Sequence, residues 1–250
     1  MGRDAIGSAA TEWAMSDHDD RPLRPAPRAK RLHPFLATSR RHPSAILFVV
    51  QLLGVLLHPL MEGAPYGAIV LNLFGLVVLG VTAGMVRRTP GWASVSVTIA
   101  AAVIVLSVLQ HTFERTHLQP WTAALEAAFY LYAAGSLIAY MMEDDRTTVD
   151  ELFAAGATFT LLAWAFTYLF VMVQAVQPAA FSGPGDPGTL RTWSELNHLS
   201  FALLSSTGMG SVVAVSPMAR ALASLEMMVG LMYLATVVAR LIGFTVQPRR

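Results

Sequence analysis

Apolar residues fall along the chain in long blocks parted by short polar stretches. Six blocks lie near the roughly 17–25 residues that a helix needs to cross a bilayer. They cover about 44–60, 66–86, 92–112, 121–142, 152–176 and 217–243. Pro59, Pro65, Pro90, Pro120 and Pro178 sit at or between block ends, where a missing N–H donor costs least. Trp92, Trp121 and Trp193 fall at the expected water–lipid boundaries, which amphipathic rings favour. Between the fifth and sixth blocks the pattern changes. Phe181–Gly188 is rich in Gly and Pro and reads as turns. Ser194–Leu204 reads as a short helix with Ser194 as its candidate N-cap. That helix has about half the length of a span, so it is expected to dip in and end at membrane depth. Non-helical backbone at that depth is tolerated only when it is buried in protein or lines water. Residues 205–211 are therefore expected to line a cavity, with the partial negative charge of the helix end aimed at a cation.

Residues 1–42 form a polar tail rich in Pro, Arg and Asp. The run Arg21-Pro22-Leu23-Arg24-Pro25-Ala26-Pro27-Arg28 cannot hold a helix, and the tail is expected to be disordered. It does not read as a signal peptide, because the first apolar block starts too late and no small-residue cleavage site follows. Arg28, Lys30, Arg31, Arg40 and Arg41 precede the first block, as a topology anchor or a contact for anionic lipid heads. With the N-terminus inside, fourteen of the seventeen Lys and Arg residues fall on the inner side; only Arg115, Arg191 and Arg220 fall outside. That bias predicts a multi-pass membrane protein with both termini cytoplasmic, and 194–211 on the outer side. Little chain follows the sixth block, so no C-terminal ligand-sensing domain is expected.

Composition narrows the class. Charged residues make up 13% of the 250, about half the soluble average of ~25%. Seventeen basic against sixteen acidic residues offer no electrostatic footprint for nucleic acid. No cysteine is present, which excludes disulfides, thiol catalysis and thiolate metal sites. His58, His111 and His117 lie near outer block ends, but no metal-ligand spacing links them, so they read as interface residues. No enzyme is expected.

Leu204-Ser205-Ser206-Thr207-Gly208-Met209-Gly210-Ser211 carries two alternating glycines beside a cluster of hydroxyls. Glycine reaches positive φ freely, so such a strand can alternate in hand and turn successive carbonyls toward one axis. A ring of these strands can replace the hydration shell of a cation. Ser206-Thr207-Gly208-Met209-Gly210 resembles the selectivity filter of the potassium-channel superfamily, usually Thr-Val-Gly-Tyr-Gly. Val212–Arg220, with Ser216-Pro217, resembles the family's exit into its last helix. Leu225-Glu226-Met227-Met228-Val229-Gly230 resembles the inner helix of bacterial members. The likeness is sharpest over roughly the last sixty residues, and the six-block layout resembles bacterial channels without a charged voltage sensor. From Trp121 to Met142 there is no Arg or Lys, so no steep voltage dependence is expected.

The resemblance implies an all-α membrane protein with six transmembrane helices, a re-entrant pore helix and a filter, assembled as a homotetramer. It divides the chain into the tail 1–42, a peripheral four-helix domain 43–146 and a pore domain 147–250. K⁺ would be held by Ser206, Thr207, Gly208 and Met209, with Gly210 completing the filter and Ser205, Ser211 and Glu226 supporting it. K⁺ ions are then the only ligand, with no cofactor; the partners are other copies of the chain, membrane lipids and monovalent cations. Met209 stands where the family has Tyr, and Ser211 where it usually has Asp. A thioether cannot donate the bond that holds the filter width, so a weakly selective cation pore or a non-conducting membrane scaffold are the alternatives.

Several residues carry two readings. Gly230 is a gating hinge or a close-packing glycine. Met227, Met228 and Met232 form a hydrophobic gate or, preferably, ordinary packing. Glu226 braces the filter by accepting from Ser205 or another donor of the pore loop, or is a purely structural acid. Glu126 poses the same question. Gly80 and Gly84 form a Gly-x-x-x-Gly pattern read as a packing contact.

Overall fold

A computed structural model describes residues 43–86, 98–106, 116–143, 149–185 and 188–245. The N-terminal tail and its basic cluster, Trp92, His111, Arg115 and the surroundings of Gly84 lie outside the described residues, as do both ends of the third block.

Each apolar block contains a helix, the third being described only at 98–106. The helices are α1 (Pro43–Met61), α2 (Gly67–Val86), α3 (98–106), α4 (Gln119–Glu143), α5 (Val149–Val176) and α7 (Pro217–Thr245). The short helix α6 is Trp193–Leu204. Two-residue strands β1 (Phe181–Ser182) and β2 (Val213–Ala214) pair antiparallel, Phe181 opposite Ala214, and tie the segment before α6 to the one after it. Among the described residues, four helices are long and apolar enough to cross a membrane: Ser44–Met61, Gln119–Met142, Val149–Val176 and Pro217–Arg240. The chain is a mostly helical membrane protein.

Local chemistry sets the helix starts. Pro217 opens α7, where its absent N–H is no loss, and Ser216 Oγ accepts from Ala219 N at 3.2 Å. Asp150 accepts from Ser44 N at 3.2 Å and Ser44 Oγ at 2.8 Å. One carboxylate in the first turn of α5 thereby serves the first turn of α1, and both helices start at the same end of the bundle. At that end Arg240 of α7 meets Glu151 of α5 at 3.4 Å. The opposite end holds Glu62, whose Oε1 accepts from Ser194 N at 3.2 Å.

Helix α5 is the axis. It packs against α1, α4, α6 and α7. Small residues of α4 and α5 are buried in one shared core: Ala133 and Ala134 on α4, Ala157, Ala163 and Ala165 on α5. Larger side chains fill the same core, including Phe129, Tyr130, Leu161, Trp164 and Leu204. This core runs across the expected boundary between the peripheral and pore regions. A second cluster of Phe170, Val173, Phe181, Leu196, Leu199 and Val212 wraps α6 and the paired strands. Helix α7 differs from α5. Only 17% of its apolar window is buried, against 61% for α5.

Candidate functional site

The site begins at the start of α6. The N-cap is Thr192, not Ser194 as the sequence pattern suggested. Glu195 N donates to Thr192 Oγ1 at 3.2 Å, and Thr192 N donates to Glu195 Oε2 at 2.8 Å. This reciprocal box satisfies two orphan donors, and Ser194 lies inside the helix. The chain ahead of the cap is clasped to α5. Gln174 Nε2 donates to Arg191 O at 2.9 Å, and Arg191 N donates to Gln174 Oε1 at 2.8 Å. The buried Arg191 guanidinium donates to Pro184 O at 2.5 Å and to Thr189 O, and pairs with Glu195 at 3.6 Å. Trp193 stacks on His58 of α1 with centroids 3.7 Å apart, and meets Trp164 edge-on at 6.0 Å. Two of the expected interface residues, Trp193 and His58, thus belong to one aromatic cluster, whereas Trp121 is 68% exposed.

Two contacts one turn apart bind α6 to α7. Ser200 Oγ lies within hydrogen-bond reach of both Glu226 Oε1 and Ala163 O of α5, the latter at 2.7 Å, with a single proton to share between them. Glu226 is fully buried. Its partner is therefore Ser200, not Ser205. One turn on, Gly230 lies directly against Leu204: a Cβ there would run into the Leu204 carbonyl. Any other residue would push α6 out of its groove. Below this, Tyr233 OH donates to Ala155 O at 2.6 Å. Asn197 Oδ1 accepts from Thr167 Oγ1 at 3.2 Å on the α5 side.

The segment after α6 folds back over the helix end. Ser206 N donates to Leu203 O at 3.0 Å, and Thr207 N and Gly208 N donate to Ala202 O at 3.0 and 3.1 Å. Ser206 takes φ 58° and Gly208 φ 65°. This is a left-handed helix cap with serine where glycine is usual. Ser205 Oγ donates to Phe201 O at 2.6 Å and lies 3.0 Å from Thr207 Oγ1. The positive-φ residues alternate, as the glycine pattern implied, but at Ser206 and Gly208 and not at Gly208 and Gly210. Gly210 sits near His198, with ordinary room for a Cβ. Ser206, Thr207, Gly208, Met209, Gly210 and Ser211 are all exposed, Met209 at 74%.

Other candidates are placed less centrally. Met227, Met228 and Met232 are 41%, 53% and 65% exposed, so the ordinary-packing reading is not met within one chain. Among the described residues nothing lies within 4 Å of a Cβ added at Gly80, so the packing contact expected of it is not made by them. Glu126 lies on α4 within electrostatic reach of Tyr130 and Tyr168. His198 beside Gly210 was missed by sequence reading, because its spacing on α6 carries no signal until the chain turns back. Among the described residues, no group of three or more His, Cys, Asp or Glu could hold a metal ion. Compared with family models, with curated proteins and with solved structures, the chain matches none.

Proposed function

We propose that this chain is the subunit of a homotetrameric cation channel, with α6 as a re-entrant pore helix and 205–211 as the strand that lines the ion path. The observation that carries this reading is the seating of α6. It is a twelve-residue helix, too short to cross a bilayer, held between two long apolar helices and ended by an exposed turn of hydroxyls and glycine. Polar backbone ending such a helix inside a membrane must face water, ions or other copies of the chain. Its neighbour α7 leaves Leu225, Met228 and Leu231 uncovered, an apolar face available to further copies. In the full reading α2 and α3 supply two further spans, both termini are cytoplasmic, and the plasma membrane is the location.

Ser206, Thr207, Gly208 and Met209 then supply oxygens to K⁺, Gly210 leads outward, and Ser205, Ser211 and Glu226 support them. The Glu226–Ser200 bond anchors the pore helix to the inner helix, and Gly230 is the point about which that helix would bend. A weakly selective pore is the second reading. It is favoured by Met209, whose exposed thioether cannot donate a bond that would fix the filter width. Single-channel recording of purified protein, with K⁺ on one side of a planar bilayer and Na⁺ on the other, tests both. A reversal potential near the K⁺ equilibrium value is the expected result. A value near zero assigns the weakly selective pore. No current from protein shown to be tetrameric overturns the channel and leaves a scaffold.

A further inference from the structure

A cavity of about 270 Å³ lies where α4, α5 and α7 meet, away from the α6 turn. Its walls are apolar, with Ile138, Leu162, Val229 and Met232 among them. Met142 and Met232, 59% and 65% exposed, form an open edge through which a chain could enter from the side. On α5 the lining runs from Leu162 to Glu151, and on α7 from Val229 to Arg240. Eleven residues of helix rise about 16 Å. Half the hydrocarbon core of a bilayer is about 15 Å. The cavity is therefore one leaflet long, and its charges are all at one end. There Arg240 Nη2 lies 3.4 Å from Glu151 Oε2, at the same end of the bundle as Ser44 and Asp150.

We infer that this cavity holds one acyl chain of a zwitterionic phospholipid, with its phosphate on Arg240 and its ammonium on Glu151. The apolar length takes the tail because side chains can pack against an acyl chain along the depth of one leaflet. The paired charges select the head. An anionic lipid would have to compete with Glu151 for the guanidinium. A zwitterion meets both signs at once, the phosphate through charge-assisted bonds from Arg240 and the ammonium by donating to the carboxylate. A primary ammonium keeps N–H donors that a quaternary one lacks, so phosphoethanolamine is preferred over phosphocholine. The inference requires only that the helices are embedded in a bilayer, and it stands or fails independently of ion conduction.

Native mass spectrometry of the purified, delipidated full chain tests it. Phosphatidylethanolamine, phosphatidylcholine and phosphatidylglycerol with identical acyl chains are added back in turn. The ethanolamine lipid is expected to bind about tenfold more tightly than the glycerol lipid, the worth of roughly one charge-assisted bond. Arg240→Gln should lower its binding about tenfold, and Glu151→Gln should move the preference toward the glycerol lipid. Met232→Trp, which narrows the cavity, should weaken all three. Equal binding of all headgroups, or a preference of the unsubstituted chain for the glycerol lipid, overturns the inference. So does unchanged binding in a Met232→Trp protein whose size-exclusion profile matches the parent. If that variant does not fold, the headgroup comparison on the unsubstituted chain decides alone.

Discussion

Ser200 sits at a point where one hydroxyl serves two helices. It touches Glu226 of α7 and the Ala163 carbonyl of α5 at once. Ser200→Ala leaves both without this partner in a buried place, and a cost of about 1–3 kcal/mol is expected. Glu226→Leu with Ser200→Ala together should cost less than the two single changes added, because the first change already orphans the partner. Detergent-solubilised unfolding of the four proteins in this cycle measures the coupling, and simple additivity would remove Glu226 as a brace. The glycines separate in the same way. Gly230→Ala should lose roughly 1–3 kcal/mol, since the obstructing atoms are Leu204 backbone and cannot swing aside. Gly208→Ala should lose about 1–2 kcal/mol from its positive φ. Gly80→Ala meets none of the described residues and should gain up to about 1 kcal/mol from helix propensity. Equal effects at Gly230 and Gly80 would show that the close approach of α6 and α7 does not limit stability. Before folding, these three positions look alike, because a sequence shows that a Cβ is missing and not what stands where it would be.

At the scale of elements, the short helix is held at both ends by different means. Its start is fixed by the Thr192–Glu195 box and the Gln174–Arg191 clasp; its end is fixed by Ser200, Leu204 and the backbone turn over Ala202. Thr192→Ala should cost about 1 kcal/mol. Amide hydrogen exchange should quicken at 193–196 and stay unchanged at 202–208. A uniform rise across α6 would mean that the helix opens as one unit and the two anchors are not separate. The helix itself was legible, as was its length. Its first residue was not. Ser194 and Thr192 are both good caps, and the choice falls to Thr192 because Glu195 then stands at the third helical position and closes the box. Four of the six expected spans were legible for a related reason: apolar length sets them, and length is written in the chain.

For the whole molecule, the telling contrast is between α5 and α7. Both are apolar throughout, yet one is mostly covered and the other mostly bare. On the proposed reading, other copies as well as lipid cover the bare face of α7. The expected mass of the assembled particle is four chains, read by light scattering with detergent subtracted. A monomer under conditions that preserve the fold would end the ring of filter strands, since one strand cannot surround an ion. Leu231→Arg, on the uncovered face of α7, should reduce the assembly to smaller species while leaving the helix content seen by circular dichroism unchanged. Retention of the full assembly would place the subunit contact elsewhere.

The sequence alone determined that this chain has long membrane-length helices, a short helix before a glycine–hydroxyl turn, and a proline-led last helix. Those features depend on local composition and on the period of one element, so nothing distant is needed to read them. Tertiary structure decided the rest. It gave Glu226 to Ser200 and not to Ser205, put Trp193 on His58, set the left-handed turn at Ser206, and formed a leaflet-long cavity ending in Arg240 and Glu151. All but the Ser206 turn join residues far apart in the chain, and which pairs meet depends on how the helices pack, a property of several segments at once.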